Sequence, residues 1–371
     1  QKNETRALSL LIYKNQMTNG GKKLNYEKLN IGLDRCRFVL SSVAIDGGIY
    51  RMNIEKGEKA QILDIATGEV IGVSDFDLTI KGISLQEKDD YTIKVTLMKK
   101  PNINFVLDVN IPKLLYNTNE RNASNLEHLT EVNQIIEKKL SEVGVYTDMT
   151  KARVSSLEIN VNSTDSKLYD AMKIIRKGFN ASNEKVFVVE SKNNIESLMV
   201  KNRYIKVKVY NKTQQLQDTG QLYENKNLVR VEVTTLDSRT INTITGNDPT
   251  IDGIIENWDK VENWFRSVIE KHIKKPCEEY NKAVESAMVE KLKQGHKTYD
   301  ILISQANKGD LVDLEIFSKA MKRYYKETGK SKPYTVIKNT KNRLERVEKT
   351  QYDSLVGNIE SLEKLWNGIG L

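Results

Sequence analysis

The amino-acid sequence predicts an α+β fold: an antiparallel sheet with helices on one face, followed by an all-helical C-terminal region. Three observations carry this. Runs in which apolar and polar residues alternate recur between residues 33 and 234, as half-buried strands require. Apolar residues at helical spacing interrupt those runs twice, at Leu126, Leu129, Val132, Ile136 and Leu140, and at Leu168, Met172 and Ile175. Beyond Asp252 the alternation stops and only helical spacing continues.

Residues 1–30 are polar, and Thr18-Asn-Gly-Gly-Lys-Lys23 reads as a loop without the spacing of a P-loop. Short strand-type runs follow at 35–43, 48–54, 61–65, 70–80, 91–98 and 103–111, with a hairpin turn at Thr67-Gly-Glu. Ser124 is the expected cap of the first helix, which ends near Gly144. The next run, Arg153-Val-Ser-Ser-Leu-Glu-Ile-Asn-Val161, sends Leu157, Ile159 and Val161 inward and Ser156, Glu158 and Asn160 outward. A helix over 163–177 stops at Gly178, and strands at 185–190, 204–210 and 228–234 complete the sheet.

The helical region opens with a stripe of Ile255, Trp258, Val261, Phe265 and Ile269, broken at Pro276 and resumed by Val284, Met288 and Leu292. These aromatics read as core. The tail, with Phe317, Met321 and Tyr325 before Gly329 and Pro333, has the spacing of a small helical pair resembling a helix-turn-helix.

Composition bounds the function. With 39% hydrophobic and 29% charged residues the 371-residue chain is a globular protein of two or three domains. No apolar run approaches the ~20 residues that span a bilayer, and Gln1–Arg6 has no signal-like stretch, although a start without Met leaves room for a preceding segment. Cys36 and Cys277 lie far apart without CxxC spacing. A reduced, cytoplasmic protein with no membrane partner is expected. The net charge of +8 is equalled by the excess within residues 319–349, where eleven Lys and Arg face three acids and Tyr324, Tyr325 and Tyr334 are interleaved. That mixture suits phosphate contact with base stacking and equally describes a solvated helix face.

The two central runs, Tyr204-Ile-Lys-Val-Lys-Val-Tyr210 and Leu228-Val-Arg-Val-Glu-Val-Thr234, hold the candidate chemistry. Lys206, Lys208, Tyr210 and Lys212 share one parity, and Arg230 and Glu232 share one on the second run. If these strands neighbour the one carrying Glu158, then Glu158 and Glu232 are the minimum to hold Mg²⁺ or Mn²⁺. Tyr210 is a candidate nucleophile whose phenol, with an ordinary pKa of ~10, needs Lys208, Lys212 or the metal beside it. Arg230 would neutralise a phosphate transition state or hold Glu232. Alternating Lys and Glu on a strand are also ordinary cross-strand pairs, and pattern alone favours that reading. His128, His272 and His296 form no metal or triad motif, and no dinucleotide fingerprint follows a strand.

In order and spacing, Asn110-Ile-Pro-Lys-Leu-Leu-Tyr-Asn-Thr-Asn119, Arg153-Val-Ser-Ser-Leu-Glu-Ile159, Tyr210-Asn-Lys212 and Val229-Arg-Val-Glu232 resemble the gene II replication initiators of filamentous phages and their plasmid relatives. The likeness covers roughly residues 103–240. It implies a nickase- or relaxase-like strand-helix-strand core and rolling-circle initiation through a phosphotyrosine. Tyr210 would be the nucleophile, Lys208, Lys212 and Arg230 its catalytic partners, Glu158 and Glu232 the metal ligands. Where the family tends to carry Glu five residues after the tyrosine, this chain has Gln215. The implied partners are origin DNA, single- and double-stranded, with a host helicase and a second copy of the chain as further candidates. The implied division is an N-terminal β-rich region of the catalytic module (1–111), an α+β nicking core (112–250) and a helical DNA-binding or accessory domain (251–371). A non-catalytic origin- or operator-binding protein and a mobilisation relaxase are the alternatives.

Overall fold

Among the described residues, eight strands pair into one antiparallel sheet. They are β1 (Ile31–Leu40), β2 (Ile93–Met98), β3 (Asn104–Asn110), β4 (Arg153–Ser163), β5 (Lys185–Ser191), β6 (Asn194–Lys201), β7 (Ile205–Asn211) and β8 (Val229–Thr235). Their order is β5-β6-β7-β8-β4-β1-β3-β2, every neighbour antiparallel. The computed structural model describes residues 29–40, 93–98, 104–142, 145–165, 168–181, 185–191, 194–218, 228–298, 300–302, 314–347 and 359–371, with short pieces at 18–19, 22–23, 44–45, 60–63 and 70–74. The expected strand at 48–54 and the turn at Thr67 lie outside the described residues.

The helices are α1 (Ile111–Tyr116), α2 (Leu126–Leu129), α3 (Val132–Ser141), α4 (Leu168–Ala181), α5 (Lys212–Asp218), α6 (Ser238–Ile244), α7 (Ile251–Glu256), α8 (Trp258–Ile269), α9 (Lys275–Lys293), α10 (Leu314–Glu327), α11 (Pro333–Val347) and α12 (Ile359–Ile369). The protein is therefore α+β with a helical C-terminal region. No helix among the described residues is long and apolar enough to cross a membrane.

One face of the sheet is apolar. Leu33, Cys36 and Phe38 of β1, Leu157, Ile159 and Val161 of β4, Val207 and Val209 of β7, and Val231 and Val233 of β8 are buried in the core. Each such side chain contributes about 1.5–3 kcal/mol by leaving water. Helix α4 packs over β6, α6 over β4 and β8, and α8 over β8, while α9 and α12 pack on α4.

Two bulges set the parity. Between β1 and β4, Glu158 faces Arg35 while Ile159 faces Leu33, so Asp34 is an extra residue on β1. Similarly, Val154 faces Phe38 and Ser156 faces Arg37, leaving Ser155 extra on β4. A bulge inserts one residue and re-aims those beside it. It explains why Leu33 and Cys36, three positions apart, both enter the core.

Several boundaries differ from the sequence reading, each for a physical reason. The strand expected to run through 111 ends at Asn110, whose side chain accepts from Lys113 N and caps α1, with Pro112 in the first turn. Asn125, not Ser124, caps α2, and a turn at Thr130 separates it from α3. Helix α4 starts at Leu168 and runs through Gly178 to Ala181. Gly178 is a packing residue rather than a stop, because a Cβ there would sit 2.9 Å from the backbone nitrogen of Cys277 on α9. Strand β6 was missed by alternation, since Asn194-Ile-Glu-Ser-Leu-Met-Val-Lys201 mixes the two periods. At Pro276 the chain continues as one rod: a π turn over Glu270–Lys274 absorbs the missing donor, and α9 begins with the proline in its first turn.

Candidate active site

The opposite face of the sheet carries the reactive side chains, and the cross-strand register decides which of them meet. Lys208 lies across from Glu232 and Glu232 across from Asn160; Lys206 faces Thr234, which faces Glu158; Tyr210 faces Arg230, which faces Asn162. Glu158, Glu232, Tyr210, Lys208 and Arg230 thus share one surface. Lys212 does not extend it. The strand ends at Asn211, whose side chain accepts from Gln214 N, and Lys212 opens α5.

The face is shielded from solvent around these residues, although a sheet with helices on one face alone would leave it open. Tyr210 is 4% exposed, and Asp34, Glu158, Asn160, Lys212, Arg230 and Glu232 are buried. Part of the cover is the turn after α1, closed by Asn117 in the left-handed conformation. Asn119 and Glu120 in that turn take hydrogen bonds from Arg230, and Asn162 donates to the Glu120 carbonyl. The Asn110–Asn119 motif is thus a cap on the site.

Arg230 is fully engaged. Its Nε donates to Asn162 Oδ1 (2.7 Å), one terminal nitrogen to Asp34 Oδ1 (3.1 Å) and Asn119 Oδ1 (3.2 Å), the other to the carbonyls of Asn119 (2.9 Å) and Glu120 (3.1 Å). All five guanidinium N–H groups have acceptors, so none is left for a phosphate, and it pairs with Asp34 rather than Glu232. The expected transition-state contact from Arg230 is replaced by a structural one.

Asp34, Glu158 and Glu232 bring carboxylate oxygens within 4.8 Å of one another, a buried cluster that could hold a metal ion. Each carboxylate is fixed through one oxygen. Asp34 Oδ1 accepts from Arg230, Glu158 Oε2 from Thr234 (2.8 Å) and Lys206 (3.3 Å), and Glu232 Oε1 from the Tyr210 phenol. Between them Asn160 is fully buried on the same face, and neither atom of its amide has a hydrogen-bond partner. Three fixed carboxylates and an unsatisfied amide form a hard oxygen donor set that fits a divalent cation of the Mg²⁺ or Mn²⁺ kind. Two of these residues escaped the sequence reading. Asp34 sits at the bulge, where strict alternation fails, and Asn160 bears no charge to attract notice.

The electrostatics follow from crowding. Burial, then the charges of Glu158 and Asp34, pushes the Glu232 carboxyl up to about 7. Burial would raise Glu158 too, but Lys206, Arg35 and the Thr234 hydrogen bond outweigh it and hold that carboxyl at about 2. Burial and the Glu232 charge push the Tyr210 phenol well above its ordinary range. Lys208 Nζ lies 4.1 Å from the centre of the Tyr210 ring, and Lys212 Nζ lies 5.9 Å from it. The two cations expected to activate the phenol therefore touch its ring, while its hydroxyl is governed by Glu232. Burial, then Arg230, lowers the Lys212 ammonium to about 7, and it donates to Gln215 Oε1 at 2.9 Å. Gln215 thus serves as the partner of Lys212 and not as a member of the acidic cluster.

No protein-family profile and no curated protein matches this chain. Among solved structures, a rolling circle replication initiator protein from Geobacillus stearothermophilus is similar over 58% of this chain and 78% of its own, with 11% identity and a TM-score of 0.26.

Proposed function

We propose that this chain is a replication initiator that nicks and rejoins one DNA strand through Tyr210. The observation that carries the reading is the phenol of Tyr210 hydrogen-bonded to Glu232 within a buried carboxylate cluster. Such a cluster has no use as packing, since like charges this close oppose one another. In the proposed reaction Tyr210 Oη attacks a backbone phosphorus and its proton passes to Glu232 Oε1. The bond from phosphorus to the 3′ oxygen breaks, the departing oxygen takes up a proton from solvent, and a 5′-phosphotyrosine and a 3′-OH remain; the reverse attack by a 3′-OH, with its proton lost to solvent and the Glu232 proton returned to the phenol, rejoins the strand.

Asp34, Glu158, Glu232 and Asn160 would hold Mg²⁺ or Mn²⁺, and a cation there supplies Lewis-acid polarisation of the phosphate. Lys208, beside the phenol ring, offers its charge to the phosphate, and Lys212 contributes positive potential from behind the ring. Arg230 positions Asp34 and the 119–120 turn. The helical pair α10–α11, with Lys322, Lys326, Lys330, Lys332 and Lys338 exposed, would anchor duplex DNA.

A supercoiled plasmid carrying the replicon's own origin, incubated with Mg²⁺ or Mn²⁺, tests this. The wild-type protein is expected to give open circles and a covalent adduct on Tyr210, and Tyr210→Phe neither. Equal nicking by Tyr210→Phe would remove Tyr210 as the nucleophile. The burial of Tyr210 and the neutral Gln215 favour a second reading, a non-catalytic origin- or operator-binding protein. Specific binding with no adduct under any metal would select it. A mobilisation relaxase would perform the same chemistry on a transfer origin.

A further inference from the structure

The catalytic face does not end at β7. Register carries it outward across β6 to the edge strand β5 in three rows. Lys185 faces Lys201, which faces Lys206. Phe187 faces Met199, which faces Lys208. Val189 faces Ser197, which faces Tyr210. Val186 and Val188, on the other parity, pack against the core, so Lys185, Phe187 and Val189 must point to the Tyr210 side.

This strip has an unusual surface. Phe187 is 37% and Val189 55% exposed, although β-strands of this length ordinarily turn such residues inward. Of its nine positions four are lysines and none is acidic. Lys185 Nζ lies 4.9 Å from the centre of the Phe187 ring, so one cation already sits against this partly exposed aromatic. Tyr210 stands two strands from Val189, roughly 10 Å at ordinary strand spacing.

A flat apolar surface flanked by cations and free of carboxylates matches a polymer with a regular negative backbone and unpaired planar bases. We propose that the outward face of β5, β6 and β7 is a platform for single-stranded DNA, which stacks a base on Phe187 and leads the strand to Tyr210. This rests on the strand-nicking reading for its destination and on register and exposure for its existence. Duplex DNA presents no free base faces to such a surface, and an acidic protein would leave Phe187 and Val189 without a stacking partner.

The test is anisotropy of a fluorescent single-stranded DNA 20-mer of mixed sequence, titrated with the full chain at low salt. Phe187→Ala is expected to weaken binding about 5-fold or more, the low end of the loss of one stacked base. Lys185→Glu with Lys201→Glu is expected to weaken it further and to flatten the dependence on salt. Val189→Asp places a charge on the same strip without touching Phe187, so a folding defect in one variant does not decide the matter. Unchanged affinity in these variants, verified as folded by circular dichroism, would overturn the proposal. Equal losses for duplex DNA, or preference for single-stranded RNA over DNA, would overturn it as well. The two readings separate cleanly. An adduct on Tyr210 with unaffected binding by Phe187→Ala sinks the platform alone, whereas platform-dependent binding with no adduct sinks the nicking chemistry alone.

Discussion

Tyr210 and Glu232 sit diagonally on adjacent strands, Glu232 two residues beyond the Arg230 that faces Tyr210, and the phenol donates its hydrogen bond to Glu232 Oε1. The nucleophile candidate and a metal-ligand candidate are therefore one unit. Removing the phenol also removes a donor from a buried carboxylate, which costs about 1–3 kcal/mol when left uncompensated. Tyr210→Phe is thus expected to lose adduct formation and, in chelator, to melt at a lower temperature than wild type. Calorimetry with and without Mg²⁺ reads both effects.

The same pair sets a pH dependence. Glu232 holds its proton up to about 7 in the folded chain, against 4.5 ordinarily, so its contribution is complete below the lower value and is lost as pH rises to the higher. Lys212 behaves oppositely. Its ammonium is lowered from 10.5 to about 7, so stability is lost as pH falls through that window and regained as it rises. Metal-free protein is expected to show a stability minimum near neutral pH, with Glu232→Gln removing the acidic limb. Melting temperatures from pH 4 to 10 in chelator check it.

Much of this architecture is legible from parity and spacing, and two of the failures lie where period two breaks. Leu157, Ile159 and Val161 against Glu158 and Asn160, or Val231 and Val233 against Arg230 and Glu232, follow strict alternation and lie where it puts them. Asp34 lies on an inserted residue, and Lys212 follows a strand end fixed by the Asn211 cap, so period two fails at both. Nor could a one-dimensional pattern reveal that Arg230 is consumed by a turn more than a hundred residues earlier.

The acidic cluster predicts a metal response. Mg²⁺ or Mn²⁺ should raise the melting temperature of wild type, by roughly 2.7 kcal/mol of stability at a hundredfold excess over Kd. Asp34→Asn and Glu158→Gln should each remove most of that shift, and Asn160→Ala part of it. A larger response at pH 8 than at pH 5 is expected, because the Glu232 proton must leave first. An undiminished response in Asp34→Asn would exclude it from the site.

Arg230→Lys tests the buried network. A lysine cannot bridge Asn162, Asp34 and the carbonyls of Asn119 and Glu120 at once. Breaking a buried ion pair this way is expected to destabilise the protein by about 3 kcal/mol or more. Faster proteolysis within residues 117–122 would show that the cap has come loose, and denaturant midpoints give the magnitude.

The basic helical pair predicts a salt effect distinct from the chemistry. Lys332 and Lys338 are exposed on and before α11, and Tyr334, 69% exposed, has Lys322 Nζ 5.4 Å from its ring. Replacing Lys332 or Lys338 by Ala should lower duplex affinity and reduce the slope of log affinity against log salt by about 1 for each DNA phosphate that is no longer neutralised. Nitrocellulose-filter binding of duplex DNA at several salt concentrations measures it.

The bulge at Asp34 makes the length of β1 part of the chemistry. Deleting one residue there would restore a regular ladder with Glu158 and Ile159 and keep Leu33 and Cys36 on the core side, but it would leave a single position on the site face where Asp34 and Arg35 now stand. A strand shortened at the bulge should therefore keep its core and lose its metal response, whereas a deletion elsewhere in β1 turns every following side chain to the other face.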